Sequence, residues 1–213
     1  MLLWIVRILL WIPLSILHPT YIYGRKNRPK GKAILCSNHR SNWDIVLYLL
    51  HTKEKVVILA KKELSKNKFF GFILKHLGAV FIDREGNDIN AIKECMKALK
   101  EGKKLYIFPE GTRLKDESKI LGEIKSGLAM IAIKTKTPIL TVWHERKPKA
   151  FRRSNIYIGK PYELTEFYGR KLDDETLNEA NSVVREKMLE VYNEVQEKNK
   201  LKKSKKKNKG SDN

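Results

Sequence analysis

The sequence predicts an α/β fold, in which a largely parallel mixed sheet is flanked by helices and preceded by an N-terminal membrane-associated helix. Short runs rich in Val, Ile and aromatic residues alternate with longer segments of helical periodicity. Such alternation is typical of strands joined to parallel neighbours by crossover helices. The membrane-associated helix is predicted from a third observation, a nearly uncharged apolar run at the N-terminus.

The N-terminal run covers residues 1–17, which are apolar except for Arg7, Pro13 and Ser15. A helix of that length reaches about 26 Å, slightly less than the roughly 30 Å hydrocarbon core of a bilayer. One helical stripe of this run is aliphatic and consists of Ile5, Leu9, Ile12 and Ile16. The pattern favours a helix in the membrane interface within residues 1–23, with a short spanning helix and a helix packed on the domain as alternatives. The basic residues that follow indicate that the domain lies on the cytoplasmic face of the cell membrane.

The remaining elements follow in order along the chain. Strands are predicted at 33–36, 56–60, 79–82, 105–108, 138–143 and 155–159. Helices are predicted at 43–51, 61–76, 88–101 and 122–135, and from about 172 to 198. Ser41 suits the N-cap of the first helix, Asn87 or Asp88 that of the third, and Gly102 suits its end. No linker divides residues 24–197, so they are predicted to form one domain.

The charge balance narrows the classes of partner. The chain has 44 Lys and Arg against 24 Asp and Glu, a net charge of +20, which requires an anionic partner such as phospholipid, nucleic acid or a phosphorylated substrate. Residues 198–213 hold eight of these lysines and almost no apolar residue, so we predict a disordered basic tail that either attaches to anionic lipid or is merely solvated. Only two cysteines occur, without a CxxC pair, which disfavours a disulfide scaffold and a cysteine-based zinc site.

A polar segment with the sequence SNHRSNWD follows the first predicted strand of the domain and contains His39 and Asp44. The chain turns between these two residues, so their side chains can meet. A carboxylate that accepts from one imidazole nitrogen fixes the tautomer and leaves the other nitrogen as a base for an alcohol. The alternative is a helix-capping segment with a structural histidine beside it.

Two further polar loops also follow predicted strands. Arg84 in FIDR offers a planar fork for phosphate oxygens, and FPEGTR presents Glu110 and Arg113 from a turn that Pro and Gly favour. Lys125 is a further candidate anion contact. Each residue has a simpler interpretation as a solvated surface group. Because the carboxyl ends of parallel strands share one edge of a sheet, we expect these side chains to converge with His39 and Asp44 on an alcohol that carries phosphate.

The ordered motifs resemble those of the glycerolipid acyltransferases, the 1-acylglycerol-3-phosphate acyltransferase family. SNHRSNWD resembles the His-x4-Asp motif, and FIDR, FPEGTR and TPILTV are similar to the second, third and fourth blocks. The motifs span residues 37–142. The fourth block often has a second proline where this chain has Thr141, which leaves the acyl-side surface and the donor preference open.

The resemblance implies transfer of a fatty acyl group from acyl-CoA or acyl-carrier protein to the sn-2 hydroxyl of lysophosphatidic acid, without a cofactor or metal. It implies His39 as the base and Asp44 as its partner. The implied substrate-binding residues are Arg84, Glu110, Gly111, Thr112 and Arg113, to which Lys125 is added as a candidate. The expected partners are therefore lysophosphatidic acid, the acyl donor and an anionic phospholipid membrane.

Other functions stay open at this point. The acceptor could be glycerol 3-phosphate or another lysophospholipid, whereas the two arginines disfavour a lipid without phosphate. From different classes, the chain could be a basic nucleic-acid-binding protein or a non-catalytic membrane-surface protein. No recognised nucleic-acid-binding motif occurs, so nucleic acid is not an expected partner.

Overall fold

The computed structural model of the chain describes residues 2–52, 54, 56–59, 68–76, 79–82, 88–114, 116 and 118–210. The strands are β1 (Thr20–Tyr23), β2 (Ala33–Ser37), β3 (Val56–Leu59), β4 (Ala79–Ile82), β5 (Lys104–Ile107), β6 (Ile139–His144) and β7 (Ser154–Ile158). The helices are α1 (Leu2–Leu17), α2 (Trp43–Thr52), α3 (Lys68–His76), α4 (Asp88–Lys100), α5 (Gly127–Thr135) and α6 (Asp174–Gly210). Short 3-10 helices cover Arg25–Asn27 and Thr165–Phe167.

The seven strands form one mixed sheet in the order β1-β7-β6-β2-β5-β3-β4. Neighbouring strands are parallel except for β6 and β7, which are antiparallel. The five strands from β2 to β6 therefore run in one direction, and the β1–β7 pair runs in the other. The predicted α/β fold with a largely parallel mixed sheet flanked by helices is confirmed.

Helices cover both faces of the sheet. All five residues of β2 are buried, and successive side chains belong to different hydrophobic clusters, as expected for a central parallel strand. Ile34 and Cys36 pack in the cluster that includes residues of α4, α5 and α6. Leu35 packs in the other, which includes residues of α1, α2 and α3. Cys36 and Cys95 are buried as free thiols.

The third predicted helix ends as its sequence indicates. Gly102 has a φ of +77°, which a residue without a side chain adopts at little cost. The Gly102 N–H donates to the Leu99 carbonyl and the Lys103 N–H to the Ala98 carbonyl, each at 3.0 Å. These two bonds form a Schellman motif that terminates α4. Asp88 begins this helix, whereas Asn87 lies outside the described residues.

One strand is not predicted by the sequence, one helix begins later than predicted, and one helix is described only in part. The strand β1 was not predicted, because its TYIY sequence directly follows the apolar run and only its pairing with β7 identifies it. The helix predicted at 122–135 begins at Gly127, because the backbone before it bonds to the loop after β5. Of the helix predicted at 61–76, the structure describes Lys68–His76, and residues 61–67 lie outside the described part.

The C-terminal helix is longer than predicted. The sequence predicts a helix that ends near residue 198 and a disordered tail over 198–213, but α6 continues to Gly210. Lysine is a good helix former, and Gly210 is the first glycine or proline after Asp174. The basic segment therefore extends the helix instead of breaking it. Residues 211–213 lie outside the described part.

The helix α1 lies along α2, and its aliphatic stripe stays exposed. The rings of His18 and Trp43 are 4.8 Å apart, and those of Trp11 and His51 are 6.4 Å apart. Leu14 is buried in the core, whereas the exposed fractions of Leu9, Ile12 and Ile16 are 65%, 51% and 64%. Among the described residues, no helix combines the length and apolar character that crossing a membrane requires.

Candidate active site

Three loops meet at the carboxyl edge of the parallel strands. Register pairs Ser37 of β2 with Val142 of β6, and Cys36 with Ile107 of β5, so the residues after these strands come together. The Asn38 side chain joins two of the strand ends. Its Oδ1 accepts from the His144 N–H at 2.8 Å, and its Nδ2 donates to the His144 carbonyl at 3.0 Å.

The loop after β2 brings His39 and Asp44 together. The distance from His39 Nδ1 to Asp44 Oδ2 is 3.4 Å. The same Oδ2 accepts from the backbone N–H groups of Arg40 and Ser41, each at 2.7 Å. Asp44 is fully buried, whereas 16% of the His39 side chain is exposed. The carboxylate therefore fixes the loop and orients an imidazole that solvent can reach.

The first turn of α2 explains why this loop closes. Ser41 Oγ accepts from the Trp43 N–H at 3.2 Å, and the Ser41 carbonyl accepts from the Asp44 N–H at 3.1 Å. Serine at this place satisfies a donor that the helix start would otherwise leave free. Asp44 lies in the first turn, where a carboxylate interacts favourably with the positive end of the helix.

The FPEGTR loop and the residue after it contact the ring, the N–H and the carbonyl of His39. The Phe108 ring stacks on the His39 imidazole, with centroids 3.8 Å apart and an interplanar angle of 20°. The His39 N–H donates to Glu110 Oε1 at 3.0 Å, and the His39 carbonyl accepts from the Leu114 N–H at 3.0 Å. The first and third motifs thus form a single bonded unit at the sheet edge.

Glu110 is buried, with 5% of its surface exposed, and both of its carboxylate oxygens are engaged. Oε1 holds the His39 N–H, and Oε2 accepts from the Gly122 N–H at 2.8 Å. A Cβ at Gly122 would lie 2.8 Å from Oε2, so glycine permits this approach. In this structure Glu110 joins two loops through their backbones, whereas the sequence predicts that it contacts substrate.

Two residues of the third motif and the nearby Lys125 face solvent. Thr112, Arg113 and Lys125 are exposed, and Arg113 immediately precedes the Leu114 N–H that bonds to His39. The Lys125 N–H donates to the Pro109 carbonyl at 3.0 Å. Its side chain lies along Gly111, which has a φ of +67° and whose Cβ, if present, would lie 3.0 Å from Lys125 Cε. Arg84 lies outside the described residues.

A second histidine, His144, lies on the other side of Asp44. Its side chain is fully buried, and its Nδ1 is 3.9 Å from Asp44 Oδ1. Its Nε2 is 3.1 Å from the Tyr106 hydroxyl. Burial lowers the pKa of His144 against a weaker opposing effect of Asp44, and burial raises the pKa of Tyr106 well above its usual value. Both groups are therefore neutral at pH 7.

The direction of the hydrogen bond between Tyr106 and His144 decides which imidazole nitrogen carries the proton. A neutral tyrosine hydroxyl that donates to Nε2 leaves the proton of His144 on Nδ1, on the side of Asp44 Oδ1. Among the residues that the structure describes, neither His144 Nδ1 nor Asp44 Oδ1 has a hydrogen-bond partner. Sequence reasoning missed His144, although a histidine directly after the predicted strand 138–143 occupies the same sheet edge as the three motifs.

Two nearby serines and a cysteine are poorly suited to act as nucleophiles. Ser37 is buried, and its hydroxyl donates to the Asn38 carbonyl at 3.0 Å. Ser41 is buried and accepts from the Trp43 N–H. Burial raises the pKa of the Cys36 thiol, which is fully buried beside the Met188 sulfur. A thiol in such surroundings stays protonated and inert.

Comparisons with known proteins identify similar acyltransferases. A 1-acyl-sn-glycerol-3-phosphate acyltransferase of Streptococcus pneumoniae is 33% identical over 150 residues, which cover 67% of this chain and 53% of that protein. One of Bacillus subtilis is 29% identical over 159 residues, which cover 68% of this chain and 75% of that protein. The chain thus aligns with about half the length of the first relative and three quarters of the second.

A solved structure is also similar. The crystal structure of the 1-acyl-sn-glycerophosphate (LPA) acyltransferase PlsC from Thermotoga maritima superposes with a TM-score of 0.57 at 26% identity, covering 81% of this chain and 72% of that one. The acyltransferase family model matches residues 20–145, which include β1, the His39 loop, the FPEGTR loop and the whole of β6. Because this match covers more than half of the chain, the protein belongs to the acyltransferase family.

Proposed function

We propose that the protein transfers a fatty acyl group from acyl-CoA or acyl-carrier protein to the sn-2 hydroxyl of 1-acylglycerol 3-phosphate and so forms phosphatidic acid. The observation that carries this proposal is the 3.4 Å pairing of His39 Nδ1 with the buried Asp44, inside a loop unit that also exposes Arg113. The names of the relatives support the choice of acceptor.

In the proposed reaction His39 acts as the general base. With Nδ1 directed to Asp44, Nε2 takes the proton of the acceptor hydroxyl. The hydroxyl oxygen then forms a bond to the thioester carbonyl carbon, and the tetrahedral oxyanion collapses as the carbon–sulfur bond breaks. The imidazolium returns its proton to the departing thiolate, which leaves as a free thiol. The base is thereby regenerated without any net change in the protein.

A direct transfer of this kind needs no acyl-enzyme. The hydroxyls of Ser37 and Ser41 are committed to backbone groups, and Cys36 is buried. The backbone N–H groups of Arg40, Ser41, Trp43 and Asp44 also bond within the loop. We expect a backbone N–H near residues 41–44 as the oxyanion donor, and the N–H groups of Ser41, Trp43 and Asp44 would have to exchange a bond within the loop to serve.

Recognition of the acceptor requires cations near the base. Arg113 and Lys125 are exposed on the loop unit that is bonded to His39, and Arg84 joins them in the family pattern. A guanidinium binds two phosphate oxygens with parallel hydrogen bonds, and an ammonium adds a point charge. We propose that these residues hold the glycerol phosphate while Glu110 keeps the two loops in place.

The acceptor also determines where the protein works. A lysolipid partitions into a bilayer, so the site has to open onto a membrane surface, which we propose is the cytoplasmic face of the cell membrane. The exposed aliphatic side chains Leu9, Ile12 and Ile16 of α1 support this proposal, because they form an apolar stripe on the surface.

The test is an acyl-transfer assay with the full chain and labelled donors. Acyl-CoA and acyl-carrier protein are each offered with lysophosphatidic acid, glycerol 3-phosphate, lysophosphatidylcholine or monoacylglycerol, and the lipid products are separated. We expect phosphatidic acid from lysophosphatidic acid at a rate well above the product rate with any other acceptor. Equal turnover of monoacylglycerol would refute phosphate recognition, and no product with either donor would refute the proposed activity.

A further inference from the structure

The segment between β6 and β7, residues 145–153, is termed here the Phe151 loop. It follows His144 directly, so it leaves the sheet at the same edge as the His39 loop, which Asn38 joins to His144. Phe151 has an exposed fraction of 76%, the largest among the exposed large hydrophobic side chains of the described residues. The loop therefore projects an aromatic ring beside the candidate active site.

The backbone at Phe151 is held in an unfavourable conformation. Its φ is +57°, in the left-handed region that bulky residues rarely adopt. A strained backbone and an exposed apolar ring are each unfavourable in water. Strain of this kind persists where the surrounding structure imposes it, and it is common at binding surfaces. The conformation of Phe151 thus indicates that this loop is a binding surface.

Contacts with the end of α1 hold the loop in this shape. The Phe151 N–H donates to the Leu17 carbonyl at 2.6 Å, and the His18 ring bonds to the backbone of Lys149. The Ser154 N–H donates to the Pro19 carbonyl at 2.8 Å and closes the loop. Phe151 is therefore bonded to the residue that follows Ile16, the last member of the exposed aliphatic stripe.

The charge of the loop identifies the partner class. Five of its nine residues are Lys or Arg and one is Glu, a net charge of +4. Glu145 is already paired with Arg146 at 2.9 Å, whereas Lys147, Lys149 and Arg152 are exposed. Aromatic and aliphatic side chains among exposed cations suit the interface of an anionic bilayer. Nucleic acid would use the cations and the ring but not the aliphatic stripe of α1.

We propose that the Phe151 loop and the exposed stripe of α1 form one docking surface for anionic phospholipid, with the Phe151 ring inserted below the headgroups. This contact sets the carboxyl edge of the sheet, and with it His39, against the bilayer. The inference deepens the proposed function, because it names the surface through which a lipid-modifying enzyme would reach its acceptor. Vesicle binding is measurable without turnover, so the docking surface and the proposed acyl transfer can be refuted separately.

The first test is co-sedimentation of the full chain with vesicles of phosphatidylcholine alone or with an equal part of phosphatidylglycerol. The variant is Phe151→Asn, because asparagine tolerates a positive φ and removes the apolar ring. We expect partitioning onto the mixed vesicles to fall about tenfold, since a ring of this size contributes that much when it is buried. Thermal unfolding should show equal or greater stability.

The matched control is Ile89→Asn, which removes a side chain that is 58% exposed on α4, a helix on the face of the sheet opposite α1. It should leave vesicle binding unchanged. Phe151→Asn protein that is folded and binds the mixed vesicles like the unaltered chain would overturn the proposal. A loss of binding that is equally large for both variants would also overturn it, because the effect would then not belong to the Phe151 loop.

The second test concerns the cations. Lys149→Glu with Arg152→Glu should remove most of the preference for phosphatidylglycerol, whereas the exposed control pair Lys134→Glu with Lys171→Glu should retain it. Each variant is also titrated with a single-stranded oligonucleotide. If the loop pair weakens only oligonucleotide binding, the surface serves nucleic acid and the proposal is wrong. Turnover of a short-chain, water-soluble lysophosphatidic acid by the unaltered chain tests the chemistry separately, and its absence leaves the vesicle result standing.

Discussion

Two imidazoles flank one carboxylate, and they have different surroundings. His39 lies in the loop after β2, where its side chain is 16% exposed and 3.4 Å from Asp44 Oδ2. His144 ends β6, where its side chain is fully buried and 3.9 Å from Asp44 Oδ1. One ring stacks on Phe108, which lines the loop unit, and the other meets the hydroxyl of Tyr106 in the core.

This difference separates a reactive histidine from a supporting one. A general base has to reach a substrate that comes from outside, and only His39 is accessible to it. His144 is held neutral by burial, and its Nδ1 lies 3.9 Å from the second oxygen of the same carboxylate, beyond hydrogen-bond distance. Asp44 therefore orients the base with Oδ2, while Oδ1 faces the buried imidazole of His144. Substitutions of His39 and of His144 should therefore have unequal effects on turnover.

Removal of the base gives the largest expected effect. His39→Ala should lower kcat by up to about 10⁴-fold, because a positioned proton acceptor contributes about 10²–10⁴-fold. The fold should persist, since the side chain is partly exposed. The control is His51→Ala, a histidine at the far end of α2. Turnover of His39→Ala comparable to that of the unaltered chain would contradict the assignment, whichever histidine then served as base.

Neutralising the shared carboxylate should have the next largest effect. Asp44→Asn keeps the volume but can no longer accept from Arg40, Ser41 and His39 in the same way. We expect a fall in kcat of about 10²-fold or more and a loss of about 1–3 kcal/mol in the free energy of unfolding. Steady-state kinetics measures kcat, and urea denaturation measures the free energy of unfolding. Lower stability with unchanged kcat would show that Asp44 only closes the loop.

The sequence predicted the part of this site whose residues lie close together along the chain. His39 and Asp44 are five residues apart in one turn, so local geometry alone brings them together. Their meeting with the FPEGTR loop followed from parallel strands that share an edge. The strands at β2 and β5 were predictable because their residues are apolar on both faces.

The remainder depends on contacts between distant segments. His144 lies 100 residues after Asp44, and nothing in its neighbourhood signals that Tyr106 and Asn38 meet it. Glu110 was predicted to contact substrate because a carboxylate can bind hydroxyl groups and because the family resemblance implies this role. Its burial became evident only when Gly122, twelve residues later, was found to bond to it. Hydrogen-bond partners that come from distant segments produce no periodic pattern in the sequence, so they cannot be predicted from it.

A third change tests the new assignment of Glu110. Glu110→Gln retains only one acceptor oxygen, so the N–H of either His39 or Gly122 loses its partner, at a cost of about 1–3 kcal/mol in the free energy of unfolding. Because His39 is then held less firmly, kcat should fall about tenfold, with KM for lysophosphatidic acid unchanged. The exposed residue Glu123 gives the control, Glu123→Gln. A rise in KM with constant kcat would instead restore the substrate contact that the sequence predicts.

The smallest expected effect is a change in pH dependence. Burial lowers the pKa of His144 in the folded chain, whereas in the unfolded chain the pKa of this histidine is about 6.5. Below that pH the unfolded chain binds a proton that the folded chain does not, so the free energy of unfolding falls as the pH decreases. His144→Gln should reduce this slope by at most about 1.4 kcal/mol per pH unit.

The measurement is urea denaturation of the unaltered chain and of His144→Gln between pH 5.5 and 8. The pKa values of His18 and His51 are also lowered by burial, the latter to about 4, so the variant keeps part of the dependence and only the difference between the two slopes is informative. Above pH 7 the two curves should run parallel, because all three histidines are then neutral in both states. Identical slopes below pH 6.5 would mean that His144 is charged when folded. It would then form an ion pair with Asp44, in place of the neutral contact that burial imposes.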